Sequence, residues 1–161
     1  LHGWVNDVDF VGEFEPFDQV SLASLEKDYD AGGTGQMYFV RRKDGTRIGY
    51  IAHFRVEDCT GIGYMLVPGE RGRGYGTEAV QAMVDYLFLH KDIVRVQAET
   101  HPANAASQRV LEKAGFRKEG IIRQSFFSRG VYRDTALWSI LRHEWGGPKV
   151  LPGGYVSPPS S

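Results

Sequence analysis

Residues 61–77 read Gly-Ile-Gly-Tyr-Met-Leu-Val-Pro-Gly-Glu-Arg-Gly-Arg-Gly-Tyr-Gly-Thr, and no other stretch limits the fold so sharply. Gly61 to Val67 is apolar and β-rich, and Pro68-Gly69 stops it as a strand. From Thr77 to Leu89 the apolar positions Ala79, Val80, Met83, Val84, Leu87 and Phe88 recur every three or four residues, which predicts a helix with one apolar face. Between strand and helix lie glycines at alternate positions, Gly72, Gly74 and Gly76. Without Cβ atoms there, backbone N–H groups can turn together onto an anion, and the positive end of the following helix strengthens that pull. Arg71 and Arg73 are expected to add full charges, so the loop reads as a pyrophosphate cradle. Its spacing supports neither the G-x-G-x-x-G of dinucleotide folds nor the G-x-x-x-x-G-K-[ST] of nucleoside triphosphatases.

The other segments surround this unit with strands. Gln36 to Arg41 is β-rich, Lys43-Asp44-Gly45-Thr46 carries an Asp-Gly hairpin signal, and Arg47 to Arg55 returns as its antiparallel partner. Ile93 to Thr100 alternates apolar and polar residues up to His101-Pro102. Asn104 to Ala114 is a second helix, with Asn104 as its cap and Gly115 as its stop. Phe116 to Ser125 and Val131 to Leu141 form a closing hairpin around Arg129-Gly130. Ahead of all this, residues 1–9 and 21–30 read as short helices, the second opened by Ser21, with an aromatic and acidic loop from Phe10 to Phe17 between them. A largely antiparallel sheet with one parallel crossover follows, an α/β or α+β fold. Half of residues 146–161 are Gly or Pro, so one domain over 1–145 and an uncoupled tail are expected.

Composition excludes several classes. At 161 residues, with 42% hydrophobic and 24% charged residues, the chain suits a single folded core. A lone Cys59 offers no disulfide framework and no multi-cysteine zinc site, so no metal is expected. The net charge of -1 gives no bias toward nucleic acid or an anionic membrane, and no apolar run reaches the roughly 18 residues of a membrane span. A soluble, cytoplasmic protein without nucleic-acid or membrane partners is expected. Starting without Met, the chain leaves any N-terminal targeting segment unread. Charge is distributed unevenly. Residues 1–26 hold no Lys or Arg but carry Asp7, Asp9, Glu13, Glu15, Asp18 and Glu26, whereas Arg109, Lys113, Arg117, Lys118, Arg123, Arg129 and Arg133 make the later part basic.

Arg71-x-x-Gly74-x-Gly76 resembles the [Q/R]-x-x-G-x-[G/A] motif of the GCN5-related N-acetyltransferases, the GNAT family, whose loop binds the pyrophosphate of acetyl-CoA. The strand Ile62 to Pro68 resembles the family's fourth, where a bulge frees backbone groups for the pantetheine and thioester. Asn104-x-x-Ser107 with Gly115-Phe116 resembles the signature of the RimJ/RimL-like branch, and Glu119-Gly120 and Tyr132-x-Asp134 fall where that branch has matching elements. The resemblance covers about residues 1–145. It implies the GNAT fold, a mixed, mostly antiparallel sheet with splayed fourth and fifth strands, and a first strand that would precede Leu1. It also implies acetyl-CoA bound by Met65, Leu66, Val67, Arg71, Gly72, Arg73, Gly74, Tyr75, Gly76, Thr77, Asn104 and Ser107, direct acetyl transfer to an amine, and a carbonyl polarised by the backbone at Met65 to Val67. Arg109 and Lys113 are within reach of the adenosine phosphates on this reading. A homodimer is in keeping with the family.

Two residues depart from the family. Many members carry a Glu base just before I-G-Y, where this chain has Gly61, and a Tyr acid four residues before the G-F glycine, where it has Leu111. Ser107 is then the candidate for protonating the thiolate, with Asn104 beside it. For the base, Glu99 at the end of its strand comes first, His101 second, and Glu57 and Asp58 third. Tyr64, Tyr75 and Tyr132 read as packing aromatics, with Tyr132 also on the acceptor side. An amine must be neutral to attack. A lysine of pKa about 10.4 is so roughly once in a few thousand molecules at pH 7, an α-amino group near 8 roughly once in ten. A site short of a carboxylate therefore leans toward low-pKa amines. In this family the N-terminal helices cover the acceptor, and here Glu13, Phe14 and Glu15 favour a cationic one: a protein N-terminus, a polyamine, an aminoglycoside or another small amine. The opposing reading is a non-catalytic acyl-CoA-binding module.

Overall fold

The computed structural model describes residues 1–15, 21–24 and 35–151. The expected N-terminal helix is broken in two. α1 spans His2–Val5 and α2 spans Val8–Val11, because Asp7 leaves helical geometry to cap α2, its Oδ1 accepting from the N–H of Asp9 at 2.9 Å and of Phe10 at 3.4 Å. Ser21 caps as read from the sequence, its Oγ accepting from Ser24 N–H at 3.1 Å, and residues 22–24 are helical. The rest of the helix expected over 21–30, the carboxylates Asp18 and Glu26, and residues 152–161 lie outside the described residues.

The strands are β1 Gln36–Arg41, β2 Arg47–Val56, β3 Cys59–Leu66, β4 Arg95–Thr100, β5 Arg117–Ser128 and β6 Val131–Leu141. Their order in the sheet is β1-β2-β3-β4-β6-β5, with every pairing antiparallel except β3 with β4. This is the mixed six-stranded sheet, flanked by helices, that the motifs imply. α3, Tyr75–His90, makes the crossover between the two parallel strands, and α4, Ala105–Lys113, follows β4. α5, Arg142–Trp145, extends β6. The β5–β6 turn is the two-residue Arg129-Gly130, both at positive φ (52° and 82°), as a tight hairpin matching strand twist requires.

The core lies between the sheet and α3. Val80, Met83, Val84, Leu87 and Phe88 pack on Ile51, Ile62, Val96, Ala98, Trp138 and Ile140. Each such side chain is worth about 1.5–3 kcal/mol when buried, enough to hold the crossover against the sheet. Leu111 of α4 is fully buried in the same core.

β3 and β4 pair only from Thr60–Ile62 to Val96–Ala98 and then part. The register of β2 with β3 runs without interruption from Gly49–Leu66 to Val56–Cys59, so the bulge implied for this strand is absent. Divergence of β4, rather than a bulge, leaves residues 63–66 without a strand partner on that side. The chain also stays attached past Trp145, where the tail was expected to come free. The backbone N–H groups of Lys149, Val150 and Leu151 donate to Asp85 Oδ2 at 2.8, 2.8 and 3.3 Å, and Trp145 Nε1 donates to Asp85 Oδ1 at 2.8 Å.

Candidate active site

Where β3 and β4 part, a cavity of about 750 Å³ opens, within the range of cofactor sites. Four parts of the chain meet in it. The glycine loop and the first turn of α3 supply Arg71, Gly72, Gly74, Gly76 and Thr77; the start of α4 supplies Asn104 and Ser107, with Arg109 and Lys113 further along; the loop after α2 supplies Glu13, Phe14 and Glu15. Met65 and Leu66 of β3 form its wall.

The glycine loop is shaped as its sequence suggests. Gly72 and Gly74 sit at φ +74° and +88°, a left-handed geometry that L side chains resist, and Gly74 is the N-cap of α3. A Cβ built at either position would meet no atom within 4 Å, so the space above them is open. A 16-residue helix thus points its free N–H groups into an open cradle, which fits an anionic group such as a pyrophosphate.

The loop arginines do different work from that expected. Arg71 lines the cavity, but its Nε donates to Leu66 O at 2.9 Å and its Nη2 to Phe10 O at 2.6 Å, tying the end of β3 to α2. Arg73 does not line the cavity. Glu70 draws it away at 2.8 Å while also holding Arg42 at 3.0 Å. Tyr75 turns toward a second hollow beside β1, and Val67 is likewise outside, its N–H donating to Ile48 O at 2.9 Å. The cations left beside the cradle are Arg109 and Lys113.

Ser107 is oriented from two sides. Its N–H donates to the capping Oδ1 of Asn104 at 3.1 Å, so Asn104 positions the serine. Its Oγ lies 2.9 Å from the Tyr64 hydroxyl, which also donates to Ser107 O at 3.2 Å. Burial pushes the Tyr64 hydroxyl up to about 12, the Ser107 hydrogen bond opposing and the Glu15 charge adding to it. Tyr64 is therefore a neutral phenol at any working pH. Read from sequence as a packing aromatic, it is a polar partner of the serine, which nothing in one strand's pattern could reveal.

The carboxylates separate clearly. Glu99 is exposed, its neighbours Ala98 and Thr100 facing the core, and it does not line the cavity. His101 accepts from Ala103 N–H at 3.1 Å through Nδ1 and packs against Phe14, the rings tilted by 30° with centroids 5.0 Å apart. Glu57 and Asp58 lie in the turn between β2 and β3, Asp58 with a fully exposed side chain 3.6 Å from Arg55. Tyr132 is 66% exposed and packs on Phe127 of the hairpin, away from the cavity. The Gly61 position is filled: a Cβ there would lie 2.6 Å from Phe54 Cε2 and 2.8 Å from Val56 Cγ2. Glu13 is exposed, whereas Glu15 is half-buried and burial raises its carboxyl above the ordinary range. Among the described residues no cluster of three metal-ligating side chains occurs, and no helix is long and apolar enough to cross a membrane.

Comparison with known proteins agrees with this geometry. The family described as acetyltransferase (GNAT) domain matches residues 1–117. The probable N-acetyltransferase YjcK of Bacillus subtilis is 46% identical over 80 residues, 50% of this chain and 44% of that protein. The uncharacterized N-acetyltransferase YnaD of the same organism is 31% identical over 108 residues, 66% of this chain and 64% of that one. The chain thus spans about half to two thirds of the length of these relatives. Spermidine N-acetyltransferase from Vibrio cholerae, solved with CoA and spermine, superposes with a TM-score of 0.77 over 89% of both chains at 19% identity, a likeness of fold.

Proposed function

The chain belongs to the acetyltransferase (GNAT) domain family, and from that premise we propose that it transfers the acetyl group of acetyl-CoA to a primary amine of a cationic acceptor. One observation carries the reading: the open glycine cradle at the start of α3 and the Ser107 hydroxyl face one cavity at the parting of β3 and β4. Acetyl-CoA supplies an acetyl group activated as a thioester. The residues present suit it. Backbone N–H groups of the loop and first helical turn hold the pyrophosphate, and Arg109 and Lys113 bring charge to the phosphates. The edge of β3 that β4 leaves open runs along Met65 and Leu66, and with the Leu66 carbonyl held by Arg71 it offers backbone N–H to the acyl end. Ser107, held by Asn104 and Tyr64, offers its Oγ–H where a proton is needed on sulfur.

The acceptor enters from the loop after α2, whose two carboxylates and Phe14 suit an ammonium group near an apolar stem. Polyamines, aminoglycosides and protein N-termini share that chemistry, the last in keeping with the RimJ/RimL-like signature at Asn104 and Ser107. A homodimer in the cytoplasm belongs to the same proposal. A second reading, an acyl-CoA-binding module without catalysis, draws on Phe54 filling the Gly61 position and Leu111 being fully buried where a tyrosine acid would stand. Calorimetry with CoA, followed by acetyl-CoA turnover against spermine, kanamycin and a peptide with a free α-amino group, decides between them. Turnover supports the transferase, CoA binding with no turnover on any amine supports the module, and no CoA binding refutes both.

A further inference from the structure

We propose that Glu15, on the loop after α2, is the group that takes the proton from the attacking amine, replacing a carboxylate that β3 has no room to carry. The inference rests on the acetyltransferase reading. Two carboxylates line the cavity among the described residues, Glu13 and Glu15, and only Glu15 is withdrawn from solvent. Its charge helps to raise the hydroxyls of Tyr50 of β2 and Tyr64 of β3, and Tyr64 is one of the two residues that hold Ser107. The sheet position is closed by Phe54 and Val56, and Glu99 lies outside the cavity.

A base on a loop is useful only if the loop is held. Arg71 Nη2 donates to Phe10 O and Arg129 Nη2 to Gly12 O, each at 2.6 Å, and the Phe14 ring packs against His101. Three contacts from three separate elements thus hold the chain at Phe10, Gly12 and Phe14, up to the residue before Glu15. Desolvation lifts the carboxyl above 4.5, which narrows the gap to an amine's pKa and makes it a better proton acceptor. No cation pairs with it among the described residues. Its charge acts on Tyr50 and Tyr64, and the other charged groups that line the same cavity are Arg71, Arg109, Lys113 and Glu13.

The ammonium nitrogen gives one proton to a Glu15 oxygen and regains its lone pair, and the carboxylic acid then returns that proton to solvent. As the N–C bond forms and the C–S bond breaks, the nitrogen's next proton goes to sulfur by way of Ser107. One proton is released per acetyl group transferred, and Glu15 ends unchanged.

Glu15→Gln and Glu15→Asp test it, with whichever of spermine, kanamycin or the α-amino peptide turns over. The expected result for Glu15→Gln is a loss in kcat/KM of about a hundredfold or more near pH 7 that shrinks toward the amine's own pKa, with partial recovery in Glu15→Asp. CoA affinity by calorimetry stays within about threefold. Without any acetyl-CoA, carboxyl NMR should put the Glu15 titration above the ordinary range, and Glu15→Gln should be more stable than wild type at pH 7 but not below pH 4. The sign follows from the raised pKa: the wild type loses stability as pH rises through the Glu15 titration, and glutamine does not. An ordinary Glu15 titration, wild-type kcat/KM in Glu15→Gln, or a loss of equal size at every pH overturns the assignment. Those outcomes leave the transferase reading standing, whereas a wild type that acetylates none of the amines overturns both.

Discussion

Removing the Asp85 carboxylate by Asp85→Ala should cost about 2–4 kcal/mol of stability. The side chain is 1% exposed in the middle of α3 and accepts four hydrogen bonds, from Trp145 Nε1 and the N–H groups of Lys149, Val150 and Leu151. Hydrogen bonds to a charged group are worth about 1.5–3 kcal/mol each, so a simple sum would give roughly 6–12. That sum is too large, because the segment lies at the surface and its three N–H groups can turn to water once released. The Trp145 indole is held against Phe88, ring centroids 5.6 Å apart, and its N–H is trapped without a partner. One trapped donor at about 1–3 kcal/mol plus about 1 kcal/mol for the undocked segment gives the expected range, and the desolvation of the charge, no longer required, keeps it from rising further. Denaturant unfolding measures the loss, and hydrogen exchange locates it at the amides of residues 149–151. A variant within about 0.5 kcal/mol of wild type, with those amides still protected, would refute the reasoning.

Gly74→Asp puts a Cβ at φ +88° and a negative charge in the cradle, and calorimetry should show CoA binding weakened at least about tenfold. Ser107→Ala should lower kcat by about ten- to a thousandfold with CoA affinity nearly unchanged, which steady-state kinetics and calorimetry check together. Tyr64→Phe should cost less, and equally at every pH from 6 to 9, because the phenol stays protonated to about 12. Its raised pKa also makes the wild type lose stability between pH 10 and about 12, a loss that thermal melts should find missing in Tyr64→Phe. Glu13→Gln with Glu15→Gln should raise the acceptor KM more than the acetyl-CoA KM, while Glu99→Gln should leave kcat/KM within about threefold.

Local pattern was enough for much of the fold. The apolar stripe from Ala79 to Phe88, the Asp44-Gly45 turn and the Arg129-Gly130 hairpin each occur where their own residues dictate, since short-range geometry settles them. The glycine loop was legible for the same reason: alternate glycines before a helix leave few other conformations. What stayed hidden depends on residues far apart in the chain. Arg71 is read as a phosphate ligand until its donors are seen on carbonyls of Phe10 and Leu66, one of them 61 residues away. The Gly- and Pro-rich segment after Trp145 looks free because its anchor, Asp85, sits in a helix whose pattern marks it only as polar. Glu15 and Tyr64 acquire their character from burial beside each other, which neither stretch of sequence contains.

Phe54 over Gly61 also bears on how this site can change. A carboxylate at position 61 needs only one substitution, but Gly61→Glu would meet the Phe54 ring at 2.6 Å and the Val56 methyl at 2.8 Å. The carboxylate would have to push both aside or force the strand, so the single change is harmful before it is useful. Trimming Phe54 first opens the place without filling it and exposes Gly61 and Gly63 beneath. The two strands therefore hold each other in their present arrangement, and a route to a base on the sheet runs through paired substitutions on β2 and β3, whereas carboxylates on the loop after α2 can be exchanged one at a time.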